Sequence, residues 1–145
     1  MEDRMAALKL DNQLCFPLYA ASRAVIRQYH DSLAELGLTY TQYIALMVLW
    51  EEDEVHIKEL SRKLFLDTGT LTPLLKSMEQ KGFITRNRDR NDERSVLVCL
   101  TEKGRALQEK AVGIPEKIGR CVKINPEEAV ELYRLLYKIL DGLEN

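Results

Sequence analysis

The stretch from Val55 to Gly104 constrains the fold more than any other part of the chain. A helical pattern around Ile57, Leu60 and Leu64 runs into a tight break at Asp67-Thr68-Gly69. A second pattern then places Leu71, Leu74, Leu75 and Met78 at the i, i+3, i+4, i+7 spacing of one buried helix face. Gly82 closes that helix, since glycine alone takes the left-handed C′ conformation without steric cost. Two strand patterns follow, Phe83 to Arg88 and Ser95 to Leu100, joined by the polar turn Asp89-Arg90-Asn91-Asp92-Glu93-Arg94. Helix, turn, helix and hairpin in that order predict a winged helix-turn-helix within a mainly α (α+β) chain, an arrangement that reads DNA.

With its leucines turned inward, the second helix presents Thr70, Thr72, Pro73, Lys76, Ser77, Gln80 and Lys81, and Glu79 is the only acid among its outward positions. Hydroxyl and amide groups bond base edges and phosphates. Pro73 lacks an N–H, so the helix is expected to start a few residues before it, capped by Thr68 or Thr70. Thr68, Gly69, Thr70, Thr72, Lys76 and Ser77 are therefore candidate DNA contacts, the alternative being an ordinary solvated face. In the hairpin, Arg86 and Arg94 are candidates for the minor groove, whose negative potential deepens as it narrows. Asp92 is expected to orient the Arg94 guanidinium by a charge-assisted bond. The alternative is an edge hairpin that uses charge to block aggregation.

The chain has 145 residues, 46% of them hydrophobic, enough for one domain with a real core. The expected division is 1–145 as a single domain, with about 55–104 as the DNA unit and about 11–36 and 105–145 as helices that pair two copies. No apolar run reaches the length of a membrane span and the start does not read as a signal peptide, so a cytoplasmic protein with no membrane partner is expected. A net charge of −2 argues against indiscriminate coating of nucleic acid. Between Leu71 and Arg94 six basic groups face four acids, a small local excess, so affinity would need several contacts doubled by a symmetric partner. Cys15, Cys99 and Cys121 stand apart in sequence and only two histidines are present, which makes a metal site improbable, and no cofactor is expected.

Before the DNA unit, Asp11 or Asn12 is expected to cap a helix running to about Leu36, with Leu14, Leu18, Ala21, Val25, Tyr29, Leu33 and Leu36 on one side. Thr39 and Gln42 form a capping box for a second, almost wholly apolar helix from Tyr40 to Trp50. After the hairpin, Thr101 caps a helix interrupted around Gly113, Pro115 and Gly119, and Asn125-Pro126-Glu127-Glu128 starts the last one. The apolar stripes of the first and last helices suit a two-fold interface, which would set two recognition helices in successive major grooves. Packing back onto the same chain is the alternative.

Cys15 falls in the first turn of its helix, where the macrodipole stabilises a thiolate. A thiolate attacks peroxides, and a phenol can donate to it; Tyr19 lies one turn beyond, whereas Tyr29 and Tyr40 need tertiary or dimer packing to reach it. An inert small core residue is the other reading, and Cys99 reads as core. The runs Leu14-Cys15-Phe16-Pro17-Leu18-Tyr19, Tyr40-Thr41-Gln42-Tyr43, Gly69-Thr70-Leu71-Thr72-Pro73-Leu74-Leu75 and Asp92-Glu93-Arg94-Ser95-Val96 resemble the organic hydroperoxide resistance regulators, the peroxide-sensing branch of the MarR family. That resemblance implies a homodimeric repressor, not an enzyme, that binds double-stranded operator DNA. Organic hydroperoxides would be its effectors, oxidising Cys15 and releasing the operator. It also implies that Tyr29 and Tyr40 hold the thiol from the partner subunit, that Tyr19 assists, and that Cys121 is the resolving thiol of a two-cysteine type. Rival readings are a MarR-type repressor released by a phenolic or anionic ligand, a thiol peroxidase using Cys15, and an adaptor that touches no DNA.

Overall fold

The computed structural model describes residues 2–144, so Met1 and Asn145, the ends of the expected domain, lie outside it. In order, the elements are α1 (Glu2–Ala6), a 3-10 turn (Leu10–Asn12), α2 (Cys15–Glu35), α3 (Tyr40–Glu51), β1 (Val55–His56), α4 (Ile57–Leu64) and α5 (Thr68–Gln80). Then come β2 (Ile84–Arg88), β3 (Val96–Leu100), α6 (Glu102–Ala111), α7 (Ile114–Gly119) and α8 (Pro126–Leu143). The predicted class holds: helices dominate, and one three-stranded sheet runs in the order β1-β3-β2. Both neighbours of β3 are antiparallel to it, and Val98 faces Val55 on one side and Arg86 on the other.

Local signals set most boundaries. Thr39 accepts from the Gln42 N–H and Asn125 from the Glu128 N–H, completing a capping box in each case, with Pro126 at the first helical position of α8. The end of α5 is a Schellman motif: Gly82 has φ +81°, its N–H donates to Glu79 O (3.0 Å), and the Phe83 N–H donates to Met78 O (3.0 Å). Leu46 and Leu49 of α3, Leu60 of α4, Leu71, Leu75 and Met78 of α5 and Val98 of β3 are fully buried in one cluster, which fixes the helix-turn-helix against the sheet.

Two boundaries differ from expectation, and one short strand is additional. The first long helix begins at Cys15, not at Asp11 or Asn12: Leu14 is its cap residue without a side-chain bond, and the Asn12 amide donates instead to Ala6 O (2.7 Å). The cap of α5 is Asp67, whose carboxylate accepts from the Thr70 N–H at 2.7 Å, so neither Thr68 nor Thr70 serves. Pro73 accordingly sits in the second turn of α5, where it leaves the Gly69 carbonyl without its usual i+4 donor. The two-residue strand β1 was not anticipated.

Two long helices contribute almost nothing to that core. α2 buries only Leu33, and α8 buries no residue at all. Leu14 is 82% exposed and Val130 71%, and Phe16, Leu132 and Tyr133 also face outward. The accessible surface is 11050 Å². A compact monomer of 16.7 kDa exposes roughly 7,600 Å² by the usual size scaling. The difference, roughly 3,450 Å², is several times the ~800 Å² that each partner of a standard interface covers, so apolar helix faces stand open that a single compact domain would bury. No helix among the described residues is long and apolar enough to cross a membrane.

Candidate DNA interface and thiol site

The exposed face of α5 carries Thr68, Gly69, Thr70 and Thr72 at its start and Lys76 in the middle, as the sequence implied. The Thr72 hydroxyl donates to Thr68 O (2.8 Å), which leaves its lone pairs outward. Ser77 is different. It is half-buried and its Oγ accepts from the Gln42 side chain at 3.0 Å, so it faces α3 and not the open side. The Asp67 carboxyl is held below its usual range, chiefly by the Thr70 backbone N–H, and so stays charged at the head of the helix.

At the wing, Arg90 and Arg94 are exposed. Asp92 does not orient the Arg94 guanidinium: its Oδ1 accepts from the Arg94 backbone N–H (3.0 Å) and its Oδ2 from the Ser95 hydroxyl (3.1 Å). It shapes the turn that presents Arg94. Arg88 donates to Glu93 O (2.8 Å) across the same turn. Arg86 is tied down. Its guanidinium meets Glu79 Oε1 at 3.2 Å and its backbone N–H donates to Glu79 Oε2 at 3.0 Å, while its Nε is buried without a protein partner. The side-chain bond from Arg86 holds the Glu79 carboxyl below its usual range. A depressed folded-state value means this tie stabilises above the ordinary glutamate range and is lost as pH falls through the lowered value. The sequence could not show it, because the one outward acid of α5 finds its partner on a strand beyond the helix end.

The thiol groups fall into two kinds. Cys15 and Cys121 are free and exposed, Cys15 at the first residue of α2 and Cys121 just past α7 with its S–H donating to Lys117 O at 3.6 Å. Cys99 is half-buried in β3, where burial first and then Asp53 and Glu54 push its thiol up, disfavouring the nucleophilic thiolate. Tyr29 and Tyr40 meet edge to face with ring centroids 4.9 Å apart, and Tyr43 stacks behind them. Burial raises both Tyr29 and Tyr40, so each phenol keeps its proton and remains a donor. Tyr19 instead accepts from Arg23 Nη1 (3.0 Å), with that guanidinium over its ring. Tyr29 lies fourteen residues along the same uninterrupted helix from Cys15, roughly 21 Å at 1.5 Å per residue. Its own chain therefore cannot bring that phenol to that thiol.

A helix-turn-helix buttressed by a three-stranded wing, with hydroxyls on the free helix face and arginines at the wing tip, defines a winged-helix transcriptional regulator. Residues 27–111 match the family of the transcriptional regulator SarA/Rot. Over 143 residues the chain is 50% identical to the organic hydroperoxide resistance transcriptional regulator of Bacillus subtilis (strain 168), covering 99% of this chain and 97% of that protein. It is similar to reduced AbfR bound to DNA, with a TM-score of 0.80 and 34% identity over 99% of both chains. Against the disulfide-formed AbfR the TM-score is 0.66, with 37% identity over 96% of this chain and 98% of that one. The chain belongs to the organic hydroperoxide resistance regulators, a branch of the MarR family. Its relatives regulate transcription.

Proposed function

We propose that two copies of this chain pair through α2 and α8, grip operator DNA with α5 in the major groove and the wing in the minor groove, and let go when an organic hydroperoxide oxidises Cys15. The observation that carries this reading is the distance along α2. Tyr29 and Tyr40 form a half-buried donor pair beyond reach of their own Cys15, and an antiparallel pairing of two α2 helices brings that pair to the thiol of the other subunit. The bare apolar faces of α2 and α8 supply the surface for such a pairing.

The chemistry balances. The Cys15 thiolate attacks one peroxide oxygen, the O–O bond breaks, and the departing alkoxide takes up a proton as the alcohol, leaving a sulfenic acid. The Cys121 thiol then attacks that sulfur, an S–S bond forms and water leaves. The backbone fits reduced AbfR bound to DNA (TM-score 0.80) better than disulfide-formed AbfR (TM-score 0.66), which supports a DNA-binding conformation for this chain. The test is a gel-shift titration of the reduced protein on its operator, repeated after cumene hydroperoxide, with the expected result a shifted band that disappears on oxidation. A band unchanged by stoichiometric oxidant overturns the redox half.

In this reading Thr68, Gly69, Thr70, Thr72, Lys76 and Arg94 contact DNA directly, whereas Arg86 is restrained by Glu79. Glu79→Gln weakens that restraint and removes a negative charge from the DNA face. The variant is expected to bind unrelated duplex more tightly, with a log–log salt dependence steeper by about one. Fluorescence anisotropy across a salt series measures both, and an unchanged slope means that Arg86 stays on the protein.

A further inference from the structure

Gln42 is the one polar side chain fully withdrawn from solvent among the described residues, at 3% exposure. Three of the four hydrogen-bonding capacities of its amide are used. Oε1 accepts from the Thr39 N–H (3.1 Å) and from Lys81 Nζ (2.9 Å), and Nε2 donates to Ser77 Oγ (3.0 Å). The backbone N–H and the ammonium can only donate, so the atom facing them must be the oxygen, which fixes the amide orientation chemically. Lys81 Nζ also donates to Gly37 O (2.9 Å), in the turn that joins α2 to α3.

The first turn of α3 and the last turns of the recognition helix α5 thus meet on the Gln42 side chain, and Lys81 ties in the turn that follows α2. Tyr40 is the first residue of α3, next to the Thr39 cap, and its ring packs on Tyr29 of α2. The leucines of α5 also touch α3 through the core, but apolar contacts are non-directional and tolerate sliding. The Gln42 bonds carry a register. A displacement of Tyr40 moves the α3 cap, and the cap moves the groups that hold Ser77 and Lys81.

We propose that Gln42 is a positioning residue that transmits the state of the Tyr29–Tyr40 pair to the recognition helix through its bond to Ser77. This rests on the redox reading given above. A capping box read from sequence accounts for the Thr39 bonds alone; the bond to α5, thirty-five positions away, is an additional role.

The experiment follows two quantities in intact dimers: the fraction of Cys15 oxidised, by mass spectrometry, and the ratio of operator Kd after and before cumene hydroperoxide. Ser77→Ala deletes the link while leaving the α3 cap whole, and Gln42→Met removes the amide at similar volume. In both, Cys15 oxidises as in wild type, while the Kd ratio shrinks by about tenfold. Ser77→Thr keeps a hydroxyl and restores the ratio. The double variant is no worse than the more affected single one, because the Gln42–Ser77 bond is already lost in each. Thr39→Ala costs cap stability but spares the Ser77 bond, so its ratio stays at the wild-type value. A wild-type ratio in both Ser77→Ala and Gln42→Met, or effects that add in the double variant, overturns the proposal alone. A wild-type protein whose Kd is unmoved by Cys15 oxidation overturns the redox reading together with it.

Discussion

Cys15→Ser is expected to bind operator DNA within about threefold of wild type and to hold that affinity through a cumene hydroperoxide treatment that weakens wild type at least about tenfold. Serine is nearly the same size and keeps a polar group for the phenols of the other subunit to meet, so the change opens no void. It removes only the nucleophile. The other thiols are poor substitutes for physical reasons. Cys99 is half-buried with its thiol pushed up by burial and by Asp53 and Glu54, which keeps it protonated and slow. Cys121 is accessible but sits beyond the last turn of α7 rather than at the positive end of a helix. A non-reducing gel separates their roles: oxidised wild type should run as a crosslinked dimer, and both Cys15→Ser and Cys121→Ser should run as single chains. Normal release of DNA by oxidised Cys15→Ser would make a different thiol the sensor.

What the sequence disclosed, and what it hid, divides by distance along the chain. Thr39 with Gln42, and Asn125 with Glu128, were readable because a capping box is complete within four residues. The start of α5 was readable only to within a residue or two, since Asp67, Thr68 and Thr70 all have capping side chains and only the backbone settles which one is used; Asp67 has φ −72° and ψ 163°. α4 ends at Phe65 in the left-handed region, φ +54°, with no glycine to announce it. β1 has two residues, too few for any period, and exists because β3 has an edge to offer. The DNA face was legible as a composition and not as a set of contacts. Ser77, Arg86 and Asp92 have the right chemistry for DNA, yet each is engaged by a protein partner, and for Ser77 that partner lies in another helix. The thiol site was legible only through the family resemblance, because its tyrosines lie on α2 and α3, remote along the chain from Cys15.

Gly104→Ala is expected to cost about 2–4 kcal/mol of stability, against a gain of roughly 1 kcal/mol that alanine brings to a helix interior. Gly104 is the third residue of α6, where its N–H donates to the Thr101 cap (3.0 Å) and its carbonyl accepts from Trp50 Nε1 (3.0 Å). A Cβ there would stand 2.1 Å from the Phe83 carbonyl oxygen, far inside van der Waals contact, with the Leu100 side chain at 3.3 Å. The obstacle is backbone, so no rotamer change relieves it. Phe83 is pinned in turn, since its carbonyl accepts from the Thr101 N–H (3.1 Å) and its own N–H closes the end of α5. α6 must back away by about an ångström, which strains the Trp50 bond and loosens the base of the wing at the same stroke. Gly113→Ala, with nothing within 4 Å of its Cβ, provides the control and should stay within about 0.5 kcal/mol of wild type. Urea unfolding of the two variants at equal protein concentration makes the comparison, because any pairing of copies contributes to the midpoint. If Gly104→Ala unfolds at the wild-type midpoint, α6 does not dock on Phe83 so closely and does not hold the base of the wing.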